Sequence, residues 1–233
     1  MNAKFQEVFD SFVQQVKLEP STKGILFFGS AQQGKESPSS DLDFNIVVDS
    51  DEGWNFKRLI HGVPVEAYFL PKDQWRKLLD ESPHVLKSFA TGTIVYDTDS
   101  CLRELAAYAK KKYDEGPEEL SDLQKANWRI TLTEICRDLE GQLQSGAENP
   151  IFSGWAISKA LEGYCALARV WADKTEKLVE RWSAMDSQMK KLIEQYNDNP
   201  STEHAKKLVE HILDKHGGPI TEYEGPRIKD RNA

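Results

Sequence analysis

Two aspartates, Asp41 and Asp43, stand at the start of an apolar stretch (Leu42, Phe44, Ile46, Val47), and ten residues separate them from a Gly-Ser pair, Gly29-Ser30. In an extended strand, residues i and i+2 point to one face. Asp41 and Asp43 therefore project together, and Leu42 turns the other way into the core. Two carboxylates side by side repel unless a positive charge sits between them. A hard divalent cation such as Mg²⁺ meets that need, because it prefers oxygen ligands and keeps room for phosphate oxygens. The Gly-Ser turn offers backbone N–H groups and a hydroxyl, and glycine permits close approach of a phosphate chain. A pair of metal-holding acids beside a phosphate-holding turn is a phosphoryl- or nucleotidyl-transfer site in outline. An isolated Asp-x-Asp at a strand start is more commonly a solvated turn, so the Gly-Ser pair at this distance carries much of the weight.

The elements that must position these residues are legible on either side. Ile25, Leu26, Phe27 and Phe28 read as a strand ending in a turn at Gly29-Ser30, and residues 31–40 as a polar loop with Gly34 and Pro38 as breakers. A second strand spans 41–48. Phe5, Val8, Phe9, Phe12, Val13 and Val16 recur at helical spacing, which predicts a helix over 3–18 packed on the sheet. The stretch 49–53 reads as a turn joining two antiparallel strands, with solvated acids. Residues 54–60 are ambiguous, and 63–70 read as a strand with Pro64 early in it, where a missing ladder N–H is tolerated. Helices are predicted from Pro71 to Leu79, from Ser82 to Ala90 and from Cys101 to Tyr113, with a strand at 92–96. Strand signals stop at Gly116-Pro117. Beyond it the pattern predicts helices over about 118–145, 152–172, 174–195 and 201–216, which suggests a bundle. The expected fold class is α+β: an N-terminal mixed or antiparallel sheet with flanking helices (1–115), a C-terminal helical bundle (116–216) and a tail (217–233) of loop.

The composition narrows the partners. The chain has 233 residues and a net charge of −8, with ten basic and fifteen acidic residues in 1–100 and the rest of both further on. Neither half is a basic nucleic-acid surface, so a nucleic-acid partner is not expected. The acidity suits a cationic small molecule and also serves solubility. Cys101, Cys136 and Cys165 are far apart and odd in number, as expected of reduced, buried thiols rather than a disulfide framework or zinc site. No apolar run approaches the length of a membrane span, and the N-terminus is amphipathic, so no membrane partner and a cytoplasmic location are expected.

Apolar-Gly-Ser, ten residues, then Asp-apolar-Asp-apolar resembles the signature of the DNA polymerase β-type nucleotidyltransferase superfamily. The loop is most similar to those of the aminoglycoside enzymes, both the streptomycin/spectinomycin and the kanamycin type. That resemblance implies a third carboxylate on a neighbouring strand, and Glu66, between Val65 and Ala67, supplies one. It implies that Gly29 and Ser30 hold the β/γ-phosphates. Asp41, Asp43 and Glu66 would be the catalytic acids and the ligands of two Mg²⁺ ions, with Glu66 completing the second metal site or acting as base. ATP is the implied substrate, with AMP passed to a hydroxyl of a small molecule, such as an aminoglycoside-like antibiotic, and pyrophosphate released. Lys35, in the loop, would screen phosphate charge.

The resemblance extends more weakly over the helical half. Residues 152–171 look like the long helix of the streptomycin-type enzymes, and 174–182 like their lysine-to-tryptophan segment. Lys177, or Lys174 in its place, is the implied triphosphate contact. Glu134 and Glu162 are alternative bases on this half, although both also read as solvent-face charges. Trp155, Trp171 and Trp182 are expected in the core, with a lining place in the acceptor pocket as the alternative for one of them. Members of the family are monomers or homodimers. The rival reading is a non-catalytic, antitoxin-like member that binds nucleotide or a protein partner; the presence of all three acids weighs against it.

Overall fold

The computed structural model describes residues 1–37, 40–173, 178–179 and 186–223. The chain is α+β and divides into two compact units, Met1–Gly116 and Pro117–Ala233.

The first unit is a five-stranded mixed sheet with helices on both faces. Its strands are β1 (Thr22–Phe28), β2 (Leu42–Val48), β3 (Trp54–Ile60), β4 (Val63–Leu70) and β5 (Thr93–Asp97), in the order β3-β4-β2-β1-β5. β2 runs parallel to β4, and every other pairing is antiparallel. Helix α1 (Ala3–Lys17) packs on β1 and β4. Its buried face, Phe5, Val8, Phe12, Val13 and Val16, shares a core with Ile25, Phe27, Phe44, Ile46 and Val65. Each side chain of that size contributes roughly 1.5–3 kcal/mol on full burial, which outweighs the weak intrinsic stability of one short helix.

Helices α3 (Lys72–Glu81), α4 (Pro83–Thr91) and α5 (Cys101–Glu115) follow, packed on one another and on strands β1, β2 and β5. The Trp75 indole N–H donates to the Ile46 carbonyl at 3.0 Å, and Asn45 donates to the Ser88 hydroxyl at 2.8 Å. These bonds satisfy buried polar groups that would otherwise be left unpaired.

Two local expectations change. Gly29-Ser30 is not an open turn but the first turn of a four-residue helix, α2 (Gly29–Gln32). The stretch 49–53 does not close a hairpin, because β4 lies between β2 and β3. The hairpin lies one step further on. His61 (φ 48°) and Gly62 (φ 74°) form a two-residue turn with Ile60 opposite Val63, and this makes the ambiguous residues 54–60 the edge strand β3.

The second unit is helical: α6 (Asp122–Ser145), α7 (Pro150–Leu167), α8 (Ser187–Asp198) and α9 (Thr202–Lys215). Its core joins Leu132, Ile135 and Leu139 with Ala160, Tyr164, Met189, Ile193, Leu208 and Ile212. The helix expected to reach 172 ends at Leu167, where Arg169 takes φ 54° and the Val170 N–H bonds back to the Cys165 carbonyl at 2.9 Å. Of the helix expected over 174–195, Leu178 and Val179 are helical, and a helix begins at Ser187, where the Asp186 side chain accepts from the Gln188 and Met189 N–H groups. The tail is loop as far as it is described, and it is held: Arg129 donates to the Gly217 and Gly218 carbonyls. Trp155 is not in the core but 51% exposed, Trp171 is half-buried, and Trp182 lies outside the described residues. The three cysteines are free, and no helix among the described residues is long and apolar enough to cross a membrane.

Candidate functional site

The sheet builds the acid site along one cross-strand row. In register, Lys57 of β3 faces Glu66 of β4, Glu66 faces Asp43 of β2, and Asp43 faces Phe28 of β1. Phe28 is the last residue of its strand, so the row runs straight into Gly29. Asp41 lies two residues before Asp43, just ahead of β2. Asp41, Asp43 and Glu66 each bring a carboxylate oxygen within 4.8 Å of the others, and all three are half-buried. Next to them on the strand, Leu42 and Phe44 are completely buried. The alternation of a strand thus sends hydrocarbon to one face and the acids to the other.

Gly29 is fitted to this cluster. Its φ is 89°, and a β-carbon there would lie 2.2 Å from Asp43 Oδ2. Only glycine lets the turn lie this close to the carboxylate. The Ser30 hydroxyl donates to Ser40 Oγ at 3.0 Å, and the Ser37 N–H donates to the same oxygen at 2.8 Å. Ser40, itself buried, therefore ties the end of the 31–40 loop to its start, immediately ahead of Asp41. Lys35 is exposed in this loop; its backbone N–H donates to the Ser30 carbonyl at 3.0 Å.

Glu66 carries two donors on one oxygen. Lys57 Nζ stands 2.7 Å from Oε1, and the Tyr68 hydroxyl donates to it. Burial pushes the Glu66 carboxyl up, but the Lys57 ammonium and the Tyr68 hydroxyl outweigh burial and leave it below the ordinary value, with His84 adding to the effect. The bond to Glu66 in turn raises both Lys57 and Tyr68. His84, on α4, lies edge-on to Phe28 with ring centroids 6.3 Å apart.

Of the residues singled out in the sequence, the structure brings together Gly29, Ser30, Asp41, Asp43 and Glu66. Lys177 and Lys174 lie outside the described residues. Glu134 and Glu162 are exposed on α6 and α7, and Glu162 pairs with Lys159 at 2.7 Å. Sequence reasoning missed Ser40, Lys57, Tyr68 and His84. A signal for two of them was present. Tyr68 is two residues from Glu66, hence on its face, and a two-residue turn at His61-Gly62 puts Lys57 opposite Glu66.

No model of a known protein family matches the chain, and no curated protein matches it in sequence. Among solved structures, the chain is similar to a nucleotidyltransferase-like protein from Exiguobacterium sibiricum 255-15. The identity is 16%, the alignment covers 90% of this chain and 74% of that one, and the TM-score is 0.44. A likeness that distant carries no argument about what this chain does.

Proposed function

We propose that the chain is a divalent-cation-dependent nucleotidyltransferase that moves a nucleoside monophosphate, AMP from ATP, to a hydroxyl of a small molecule and releases pyrophosphate. The observation that supports this most is the convergence of Asp41, Asp43 and Glu66 within 4.8 Å beside a glycine whose missing side chain is what lets the backbone come close.

The donor set fits Mg²⁺. Three carboxylates from two adjacent strands form an all-oxygen, hard-ligand cluster, half-open so that phosphate and water can fill the remaining positions. In this reading Asp41, Asp43 and Glu66 hold the ions. Bound there, Mg²⁺ supplies neutralisation of the charge on the transferring phosphoryl group and polarisation of the attacking hydroxyl. The remaining work falls to the chain. Gly29 admits the triphosphate to the backbone of the turn. The Ser30 hydroxyl proton is engaged by Ser40, so Ser30 offers phosphate its backbone N–H. Glu66, with two donors on Oε1, is suited to remain an anionic ligand and not to take the acceptor's proton. The net charge of −8 suits a cationic, polyhydroxylated acceptor of the aminoglycoside kind.

The test is pyrophosphate release with ATP, GTP, CTP and UTP in Mg²⁺, against aminoglycoside and lincosamide panels. Release is expected only with an acceptor. Asp43→Asn is expected to lower it by about 10³-fold or more, because positioning and charge neutralisation carry nearly all the catalysis in this chemistry, and to leave the circular dichroism spectrum unchanged. An Asp43→Asn protein with normal turnover would falsify the assignment.

A further inference from the structure

The Glu66 carboxylate stands where electrostatics alone would not leave it. Three acids within 4.8 Å repel one another, and a glutamate side chain has three rotatable bonds by which to swing away. Two groups oppose that swing, both on Oε1. Lys57 supplies opposite charge, but from a flexible stem on the edge strand β3, with its side chain 62% exposed. Exposed ion pairs of this kind are weak and loose in geometry. The Tyr68 hydroxyl is different. It sits at the end of a rigid ring with only two torsions, half-buried, two residues along the same strand and on the same face as Glu66. Its donor position is set by the sheet.

We propose that Tyr68 is a positioning residue of the acid cluster: its hydroxyl fixes Glu66 Oε1 and so holds the Glu66 carboxylate toward Asp41 and Asp43, in the geometry a cation needs. This rests on the reading of the cluster as a cation site. Groups that orient a metal ligand from behind carry a large share of affinity, and losing one costs about 10–100-fold in metal affinity or activity. Tyr68→Phe removes the hydroxyl alone. It keeps the ring, the strand and the charge of the site, so a change in cation binding reports orientation and not electrostatics.

The experiment titrates Mn²⁺ into the full chain, followed by electron paramagnetic resonance, for the parent, Tyr68→Phe and Asp43→Asn proteins. The expected result is binding by the parent, loss of binding in Asp43→Asn, and binding at least about tenfold weaker in Tyr68→Phe. With an acceptor in hand, Tyr68→Phe should lower kcat and leave KM for the nucleotide nearly unchanged, a split that a general loss of stability would not give. Parent-like Mn²⁺ affinity in Tyr68→Phe, with Asp43→Asn still unable to bind, overturns the role of Tyr68 and leaves the cation reading standing. A parent protein that binds no Mn²⁺ overturns both.

Discussion

At the scale of single residues, the site depends on what is missing from Gly29 as much as on what the acids provide. A methyl group there would press on Asp43 Oδ2 from 2.2 Å, on a backbone whose φ of 89° already disfavours any side chain. Gly29→Ala should cost about 1–3 kcal/mol of stability, read from denaturant unfolding, and displace Asp43 enough to abolish Mn²⁺ binding and turnover. An alanine protein with parental cation affinity would show that Gly29 is dispensable to the site. The aspartates were legible because a period of two needs no tertiary knowledge: Asp41 and Asp43 must share a face wherever the strand goes. Glu66 was legible only through the family pattern. Ser40 was not legible, because it acts on Ser30 through a loop that closes on itself, which local spacing does not write.

At the scale of elements, amphipathic periodicity located most helices and strands, whereas their ends followed capping chemistry. Asp186 is the clearest case. Helical periodicity places it inside a helix over 174–195; in the structure it is the cap that starts α8. It also accepts from His211 Nε2 at 2.9 Å and pairs with Lys215 of α9, joining the two helices. Burial would raise its carboxyl, but Lys215, His211 and the Met189 N–H outweigh burial and hold it well below the usual carboxylate range. The folded state therefore prefers ionised Asp186. Its contribution is fully present above the unfolded value of 3.8 and is lost as pH falls below that toward the depressed folded value. Asp186→Ala should cost about 2–4 kcal/mol at neutral pH, the loss of a cap and of buried charge partners together. The difference from the parent in chemical denaturation should shrink as pH is lowered below about 4. Equal stability of the two proteins at pH 7 would refute the linkage.

At the scale of the molecule, each unit owns a core. The sheet unit buries Phe5, Phe12, Phe44 and Ile46 among its own residues, and the helical unit buries Leu132, Leu139, Met189 and Ile212 among its own. The sequence changes character at Gly116-Pro117, from alternating strand and helix signals to helix alone. Every group assigned to the acid site precedes that point. Residues 1–116 expressed by themselves should therefore unfold cooperatively and still bind Mn²⁺, measured by thermal denaturation and by the same titration. A fragment that folds but has lost the ion would mean that a ligand comes from the other unit.

The register of β2 against β4 ties the packing of the core to the placing of the acids. Leu42, Phe44 and Ile46 point one way and Asp43 the other, and the same pairing that seats the hydrocarbon sets Asp43 against Glu66. One inserted or deleted codon within 42–47 would exchange the two faces, sending carboxylates into the hydrocarbon and leucine into the water. Such a lineage would lose the protein and not merely its activity. Between 33 and 37, outside the strands, chain length is under no such restraint. Length variation among descendants of this gene should accordingly collect in that loop and spare the strand, whether or not selection for catalysis persists.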